Sequence, residues 1–236
     1  MNKIKRIGIL IPYTNLVVEN ELHKACYNIN NLFIHTSRIY SKIRYSTNTN
    51  GFINSLNDNL KESIKLLKTI DIDALGYFCT IASANNTINL NNANIPFITT
   101  SEALINSLKH LNLKNIILIT PYTDELGKNI CTILINNKIN IITNKNLNLK
   151  SSKNFAKYGY NDLEKLLFNI YDKRCDGIVI SCTNLPTFHL INKMEQILSV
   201  PIITSNQATL WNIIKTIDSN LLKKFDSFGY LFKTRR

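Results

Sequence analysis

Two stretches of the sequence decide the fold, and they resemble each other: Asp73-Ala74-Leu75-Gly76-Tyr77-Phe78-Cys79-Thr80 and Asp176-Gly177-Ile178-Val179-Ile180-Ser181-Cys182-Thr183. Each begins with an aspartate, continues as a run of strand length, and ends in Cys-Thr. The cysteine lies six positions after the aspartate in both. A short apolar run of this kind is typical of a strand buried on both faces, so each stretch predicts a buried strand that ends at a cysteine.

The likeness extends outward from these stretches in the same order. Pro12-Tyr13-Thr14-Asn15 matches Pro121-Tyr122-Thr123-Asp124, and each follows an apolar strand candidate. A proline followed seven positions later by an alanine occurs in both halves, at Pro96 and Pro201. The offset between the halves is 109 residues at the first match and 103 at the cysteines. Because ordered matches at a near-constant offset indicate duplication, we predict two homologous α/β lobes related by a pseudo-two-fold axis.

Apolar runs of strand length alternate with longer amphipathic stretches along the whole chain. This alternation predicts a mostly parallel sheet with helices on both faces in each lobe. We expect a first lobe over residues 1–106, a second over 107–205, and a C-terminal helical segment, 206–236, that packs back on the first lobe. In such folds ligands bind beyond the carboxyl ends of the strands, which places the site in the cleft between the lobes. The strand candidates are Arg6–Ile11, Leu32–Arg38, Ala74–Phe78, Ile95–Thr99, Asn115–Thr120, Ile139–Asn144, Gly177–Ser181 and Val200–Thr204.

Composition excludes several classes of protein. Of the 236 residues, 44% are hydrophobic, which is too many for a disordered chain, and no apolar run is long enough to span a membrane. The net charge of +12 comes from basic residues scattered along the chain, with one cluster at Lys233–Arg236, so we expect no nucleic-acid partner. Five widely spaced cysteines suggest neither a zinc site nor a disulfide framework and are consistent with a cytoplasmic protein. The absence of a Gly-rich phosphate loop indicates no nucleotide cofactor.

The two Cys-Thr pairs are the candidate chemical groups. Each cysteine follows a buried strand where a helix or turn should begin, and the unpaired N–H groups of such a turn favour an anion. This position is expected to lower the pKa of a thiol and to hold a substrate carboxylate or oxyanion. The alternative is that Cys79 and Cys182 are small core residues. Their equivalent positions in the repeat favour two thiols that face one small carbon acid across the cleft.

These motifs resemble the aspartate/glutamate racemase superfamily, and within it the branch of maleate cis–trans isomerases and arylmalonate decarboxylases. The resemblance covers nearly the whole chain in order, and its most specific parts are the segments around Cys182 and Tyr122. Departures are Tyr13, where the isomerases usually have small residues, and the lack of a glycine after Cys79. The resembling stretches are Arg6–Asn15 with Glu19, Gly76–Thr80, Ile119–Glu125, and Asp176–Leu185 continuing to Pro201 and Ser205–Ala208.

The resemblance implies a cofactor-independent enzyme that acts on a small anionic carboxylate. In the isomerases it resembles, the first-lobe cysteine, here Cys79, attacks the double bond of a cis-enedioate, and the second, here Cys182, protonates and deprotonates the adjacent carbon. A homodimer or higher homo-oligomer is also expected. The same resemblance implies substrate binding by Asn15, Tyr122, Asn154, Asn184 and the backbone near Thr80 and Thr183.

Other interpretations stay open at this point. The two thiols could act as opposed bases in a racemase or epimerase of aspartate, glutamate or a related acid. A decarboxylase is disfavoured, since the decarboxylases of this branch rely on the second-lobe cysteine alone. A non-catalytic carboxylate-binding protein would keep the cleft without turnover. Asn15 could instead cap the helix that follows it, and Tyr122 could cap a turn.

Overall fold

The computed structural model describes residues 3–85 and 95–233. It contains two four-stranded sheets whose strands are all paired in parallel. The basic cluster predicted at Lys233–Arg236 lies outside the described residues except for Lys233. Across 3–85 and 95–233, none of the helices has the length and apolar character that crossing a membrane would require.

The first sheet has the strand order β2-β1-β3-β4 and the second has the order β6-β5-β7-β8. The second order is the first with every number raised by four, so the two lobes repeat one topology. This confirms the prediction of an α/β fold with two pseudo-symmetric lobes. The strands are β1 Lys5–Pro12, β2 Leu32–Ile39, β3 Ala74–Tyr77, β4 Phe97–Thr99, β5 Asn115–Thr120, β6 Asn140–Asn146, β7 Gly177–Ile180 and β8 Ile202–Thr204.

All eight predicted strands are present, with small changes at their ends. Strands β4 and β8 begin one residue after Pro96 and Pro201, because a proline lacks the N–H that a sheet position must donate. Each proline instead accepts a hydrogen bond through its carbonyl, from the Leu75 amide and from the Ile178 amide respectively. The helices are α1 Val18–Cys26, α2 Thr49–Leu67, α3 Thr80–Asn85, α4 Thr100–His110, α5 Asp124–Asn136, α6 Ser152–Lys157, α7 Tyr160–Ile170, α8 Phe188–Leu198, α9 Ser205–Asp218 and α10 Tyr230–Lys233.

The aspartate that opens each repeated stretch anchors its sheet at the amino ends of the strands. Asp73 Oδ2 accepts from the Arg6 amide at 2.8 Å, at the start of β1. Asp176 Oδ2 accepts from the amides of Lys114 and Asn115 at 3.0 and 2.8 Å, at the start of β5. Each strand that carries a cysteine at its far end is therefore fixed to the central strand of its sheet by the same residue type.

The C-terminal segment begins with α9, which starts at a capping box formed by Thr204 and Gln207. Helix α9 packs on α4 and on β3 of the first sheet. The approach is close, because a Cβ atom placed on Gly76 of β3 would lie 2.6 Å from Ile213 Cδ1. A 3-10 segment, Ser219–Phe228, follows and leads to α10. The division of the chain into units at 106 and 205 stays a prediction.

Candidate active site

Cys79 and Cys182 lie at the carboxyl ends of β3 and β7 and line the same pocket. Both side chains are buried, with 6% and 5% of their surface exposed. Cys79 directly precedes α3, whereas Cys182 is followed by a turn, and α8 begins only at Phe188. The structure thus brings the two predicted thiols to one cavity between the lobes.

Thr183 and Thr80 join the halves of the chain beside the pocket. Thr183 Oγ1 donates to the carbonyl oxygen of Phe78 at 3.1 Å, which ties the residue after Cys182 to the residue before Cys79. Thr80 Oγ1 lies 3.0 Å from Ser205 Oγ at the start of α9. Both threonine side chains are buried and line the pocket. Their hydroxyl groups are engaged in these contacts, and the binding of a substrate by the backbone of both residues stays a prediction.

Asn15 lies just before α1. Its Oδ1 accepts from the amides of Val17 and Val18 at 2.9 and 3.0 Å, but the N-cap position of α1 is Val17, so Asn15 supports the start of the helix without being its N-cap residue. Because this oxygen is fixed by two donors, the NH₂ group points the other way, where it lies 3.4 Å from Thr183 Oγ1. Asn15 also lines the pocket. The role of its NH₂ group in binding a substrate carboxylate stays a prediction.

Tyr122 lies at the end of β5 and is almost fully buried in the pocket wall. Its hydroxyl is hydrogen-bonded to Cys182, and its ring packs edge-on against Phe155 with centroids 5.9 Å apart. Burial, followed by the nearby Cys182, raises the pKa of Tyr122 well above its ordinary value. The phenol therefore keeps its proton and acts as a donor to the sulfur. The Tyr122 amide also donates to Thr120 Oγ1, so the residue shapes a turn as well.

The expectation of a lowered thiol pKa is wrong for this pocket. Burial raises the pKa of Cys79 to about 12, against one opposing hydrogen bond from the Ala82 amide. Burial also raises the pKa of Cys182 to about 11, although Tyr122 and two backbone amides donate to its sulfur. Desolvation of a charged sulfur outweighs the few donors that the turn supplies. Both thiols are therefore neutral in the resting pocket at neutral pH.

The side chain of Asn184 forms hydrogen bonds within the protein. Its Oδ1 accepts from the Leu16 amide at 2.8 Å, and its Nδ2 donates to the Ser152 carbonyl, also at 2.8 Å. Its backbone amide donates to Cys182 Sγ at 3.3 Å. Asn184 thus fixes the turn that carries Cys182 between elements of both lobes. Asn184 also lines the pocket, and its assignment to substrate binding stays a prediction.

Asn154 is the predicted site residue that the structure does not bring to the pocket. Its side chain is exposed, and its backbone amide donates to Ser151 Oγ at the start of α6. Ser152 and Phe155 line the pocket instead. These two residues are three positions apart and share a helix face, whereas Asn154 lies on another face. The predicted segment does reach the pocket, but through Ser152 and Phe155 and not through Asn154.

Sequence reasoning missed Tyr45, which lines the pocket from the loop between β2 and α2. Its ring packs edge-on against Phe52 and Phe155 at centroid distances of 5.8 and 5.4 Å. Within the described chain its buried hydroxyl has no hydrogen-bond partner, so it is available to a ligand. No sequence signal marks Tyr45, because it belongs to neither copy of the repeated motifs.

A second, wider chamber adjoins the cysteine pocket and shares Thr14, Tyr45 and Ser152 with it. Tyr13, whose orientation the sequence leaves open, lines this chamber rather than the cysteine pocket. Exposed Arg44, from the first lobe, and Lys153, from the second, also line it. The chamber places positive charge in front of the inner pocket.

The inner pocket combines two thiols with neutral donors. Its lining residues include hydroxyl and amide groups but no aspartate, glutamate, lysine or arginine from the part of the chain that the structure describes. A carboxylate bound there would be held by hydrogen bonds, and a thiol could add to, or exchange a proton with, a carbon next to that carboxylate. This chemistry suits a small carbon acid.

Comparison with known proteins agrees with this arrangement. The chain is 22% identical over 235 aligned residues to a maleate isomerase of Geobacillus stearothermophilus, with 92% of this chain and 94% of that protein covered. It is 25% identical over 140 residues, or 58% of each chain, to an arylmalonate decarboxylase of Bordetella bronchiseptica.

A solved structure of Nocardia farcinica maleate cis–trans isomerase has the same fold. It is a cysteine-to-serine mutant with a covalently bound succinylcysteine intermediate, and it matches with a TM-score of 0.87 at 16% identity, covering 99% of this chain and 100% of that chain. The family model for arylmalonate decarboxylase matches residues 81–232, which is more than half of the sequence. From the repeated strands, the shared pocket and this match together, the chain belongs to the arylmalonate decarboxylase family.

Proposed function

We propose that this protein is a cofactor-independent cis–trans isomerase of a small dicarboxylate of the maleate type. The observation that carries the proposal is that Cys79 and Cys182 line one buried pocket. The described residues that line this pocket supply neutral hydrogen-bond donors and include no charged side chain. The proteins named maleate isomerase support it, because one matches nearly the full chain in sequence and another in fold. The arylmalonate decarboxylase matches only 58% of the chain in sequence.

The proposed reaction starts with Cys79 as a thiolate. Its sulfur forms a bond to one alkene carbon, and the π electrons move to the neighbouring carbon, which takes the proton of the Cys182 thiol. The bond between these carbons is now single and rotates. The Cys182 thiolate then removes the proton, the double bond forms again, and the carbon–sulfur bond breaks to return the Cys79 thiolate. No atom or electron is gained or lost over the cycle.

The remaining pocket groups would hold the charges during this cycle. The Tyr122 hydroxyl and the backbone amide of Asn184 donate to Cys182, and these bonds favour its thiolate form. The Asn15 NH₂ group and the unpartnered Tyr45 hydroxyl are the donors proposed for the substrate carboxylates. Since both thiols are neutral at rest, Cys79 must lose its proton before it attacks, so activity should rise with pH.

The test is a proton-NMR assay with maleate in D₂O, together with single cysteine variants. We expect fumarate to form with the wild type, and Cys79→Ser and Cys182→Ser to lose at least about 100-fold in kcat. Cys182→Ser incubated with maleate should carry a succinyl adduct on Cys79, with the proton of the new C–H bond taken slowly from solvent, and peptide mass spectrometry detects this adduct. Cys131→Ser is the matched control, because Cys131 lies on α5 and does not line the pocket.

Other outcomes of the same assay would contradict the proposal. Deuterium incorporation at Cα of aspartate or glutamate without conversion of maleate would indicate a racemase. Release of carbon dioxide from substituted malonates would indicate a decarboxylase. If the wild type converted maleate but the Cys182→Ser variant carried no adduct on Cys79, this result would contradict covalent attack by Cys79.

The state of the protein in the cell belongs to the same proposal. We propose a cytoplasmic homodimer or higher homo-oligomer whose partner is a small anionic carboxylate rather than nucleic acid or a membrane. Support comes from the scattered basic residues and from five free cysteines. Light scattering coupled to size-exclusion chromatography measures the oligomeric state, and a monomer would contradict this part.

A further inference from the structure

Glu21 is a buried carboxyl group that the proposed reaction does not use. It lies on α1, and only 6% of its surface is exposed. Its Oε1 accepts from the amides of Thr187 and Phe188, the latter at 2.9 Å, at the start of α8. Its Oε2 accepts from Asn206 Nδ2 at 2.7 Å, at the start of α9. A residue near the N-terminus thus receives three hydrogen bonds from two segments that are distant in sequence.

Asn206 continues this network to the cysteine pocket. Its Nδ2 donates both to Glu21 and to the carbonyl oxygen of Thr183, the latter at 3.1 Å. Thr183 follows Cys182 directly, and its hydroxyl donates to Phe78 beside the other cysteine. One NH₂ group therefore connects the carboxylate of Glu21 to the turn that carries Cys182.

We propose that Glu21 is a positioning residue which, in its ionised form, orients Asn206 and thereby holds the Cys182 turn in its reactive place, and which releases that turn when it is protonated. The proposal rests on the proposed function, because it assigns Cys182 the acid/base role. Glu21 itself does not line the pocket that contains the cysteines.

The orientation of the Asn206 amide provides the link. An ionised carboxylate only accepts hydrogen bonds, so it selects the orientation in which the NH₂ group faces Glu21 and Thr183. A protonated carboxyl group can donate, and the Oδ1 atom of Asn206, buried and without a partner among the described residues, can then turn to accept. The same rotation would bring an oxygen against the Thr183 carbonyl and break that bond. Protonation of Glu21 would thus be felt at the cysteine turn.

The surroundings of Glu21 place this change near neutral pH. Burial raises the pKa of Glu21 to about 7, opposed by the three hydrogen bonds and by the charge of Lys24 on the same helix. Tyr160 on α7 also faces it, since the Glu21 charge acts on the pKa of that phenol. Lys157 and Tyr158 line the groove beside Glu21.

The first test compares pH profiles of Glu21→Gln and Glu195→Gln. The glutamine of the first variant can accept from the two amides of α8 and donate to a rotated Asn206, so it imitates the protonated state. Above pH 8 we expect Glu21→Gln to lower kcat by roughly 10- to 100-fold with little change in KM, since a small displacement of a reactive group has effects of this size. Both proteins should lose kcat as pH falls, because Cys79 must be deprotonated, but the additional loss that the wild type shows as Glu21 is protonated near pH 7 should be absent in this variant.

Glu195 is the matched control. It is equally buried, accepts from two backbone amides at 2.8 Å, and its pKa is also raised by burial to about 7. Its partners are the amides of Ile202 and Tyr230, which do not belong to the cysteine turn. Glu195→Gln should therefore keep the wild-type pH profile. If the additional loss of kcat near pH 7 disappeared in Glu195→Gln as it does in Glu21→Gln, the proposal would be overturned.

A second measurement does not depend on turnover or on a folded variant. Amide hydrogen exchange of the wild type, corrected for intrinsic rates, should show residues 182–188 exchanging faster at pH 6 than at pH 8, while β7 is unchanged. Equal protection of this segment at both pH values would overturn the proposal even if maleate is isomerised. Conversely, pH-dependent protection without any activity on maleate would count against the proposed function and leave the Glu21 network supported.

Discussion

Cys79 and Cys182 occupy matching positions of the duplicated halves but have different hydrogen-bond surroundings. Cys182 receives donors from Tyr122, Asn184 and Leu185, whereas Cys79 receives one from Ala82. Each donor stabilises a thiolate and opposes the rise in pKa that burial causes, whereas the charge of Cys182 raises the pKa of Cys79 further. The repeated sequence motif predicts where both sulfur atoms lie. The pKa of each thiol depends on burial and on hydrogen-bond donors from residues that the motif does not include.

The contribution of Tyr122 can be measured at Cys182. Tyr122→Phe removes one donor to the sulfur, so the pKa of Cys182 should rise further and its alkylation by iodoacetamide should be slower at every pH. In the wild type the rate should climb about tenfold per pH unit between roughly pH 7 and 9.5, because the pKa lies well above this range. Peptide mass spectrometry gives the rate for this cysteine alone.

Tyr77→Phe is the control for that substitution. Tyr77 is equally buried, but its hydroxyl donates to Asn57 and it does not line the pocket. This variant should lose about 1 kcal/mol of stability from the missing hydrogen bond and keep the alkylation rate of Cys182. A rate for Cys182 that levels off below pH 8 would contradict the raised pKa.

At the scale of the elements, the repeated stretches show why their pattern is informative. An aspartate before each strand accepts hydrogen bonds from amides at the start of the neighbouring inner strand, β1 or β5. A cysteine after the other end of each strand lines the pocket in the cleft. These features depend on neighbouring residues in one strand, so a linear pattern can carry them. Helix α6 is different, because which of its faces meets the pocket depends on how the helix packs. Asn154 itself does not line the pocket although its neighbours Ser152 and Phe155 do, and its assignment to substrate binding stays a prediction.

The two anchoring aspartates should differ in their contributions to stability. Asp176 accepts two backbone amides and the Nδ2 of Asn115, whereas Asp73 accepts one amide and pairs with Lys5. We expect Asp176→Ala to lower the free energy of unfolding by about 1–3 kcal/mol and Asp73→Ala to lower it less. Urea denaturation measures both, with the exposed Asp58→Ala as the control. The reverse order would contradict the anchoring role of Asp176.

At the scale of the whole molecule, the two lobes form an inner pocket of neutral donors behind an outer chamber that carries Arg44 and Lys153. Exposed charges act over a distance of about 10 Å at moderate salt, so these cations can raise the local concentration of a dianion. The described lining of the inner pocket has no charged residue, and the attraction of the anion is therefore assigned to the outer chamber.

A double variant tests this division of roles. Arg44→Ala with Lys153→Ala should lower kcat/KM for maleate by roughly 10-fold at low salt, mostly through KM, and the deficit should shrink as salt is added. Lys223→Ala with Lys224→Ala removes the same charge from exposed positions that line neither chamber. Steady-state kinetics over a salt series separates the two. Equal effects of both variants would indicate that only net charge matters.

The sequence by itself determined the duplicated α/β fold, the eight strands and the placement of Cys79 and Cys182 at two strand ends. It could do so because apolar periodicity and a repeated motif are properties of short segments. Only the tertiary structure decided that both thiols are protonated at rest, that Asn184 is used between the lobes, and that Glu21 reaches the cysteine turn through Asn206. These properties arise from burial and from contacts between residues far apart in the chain, which no local pattern encodes.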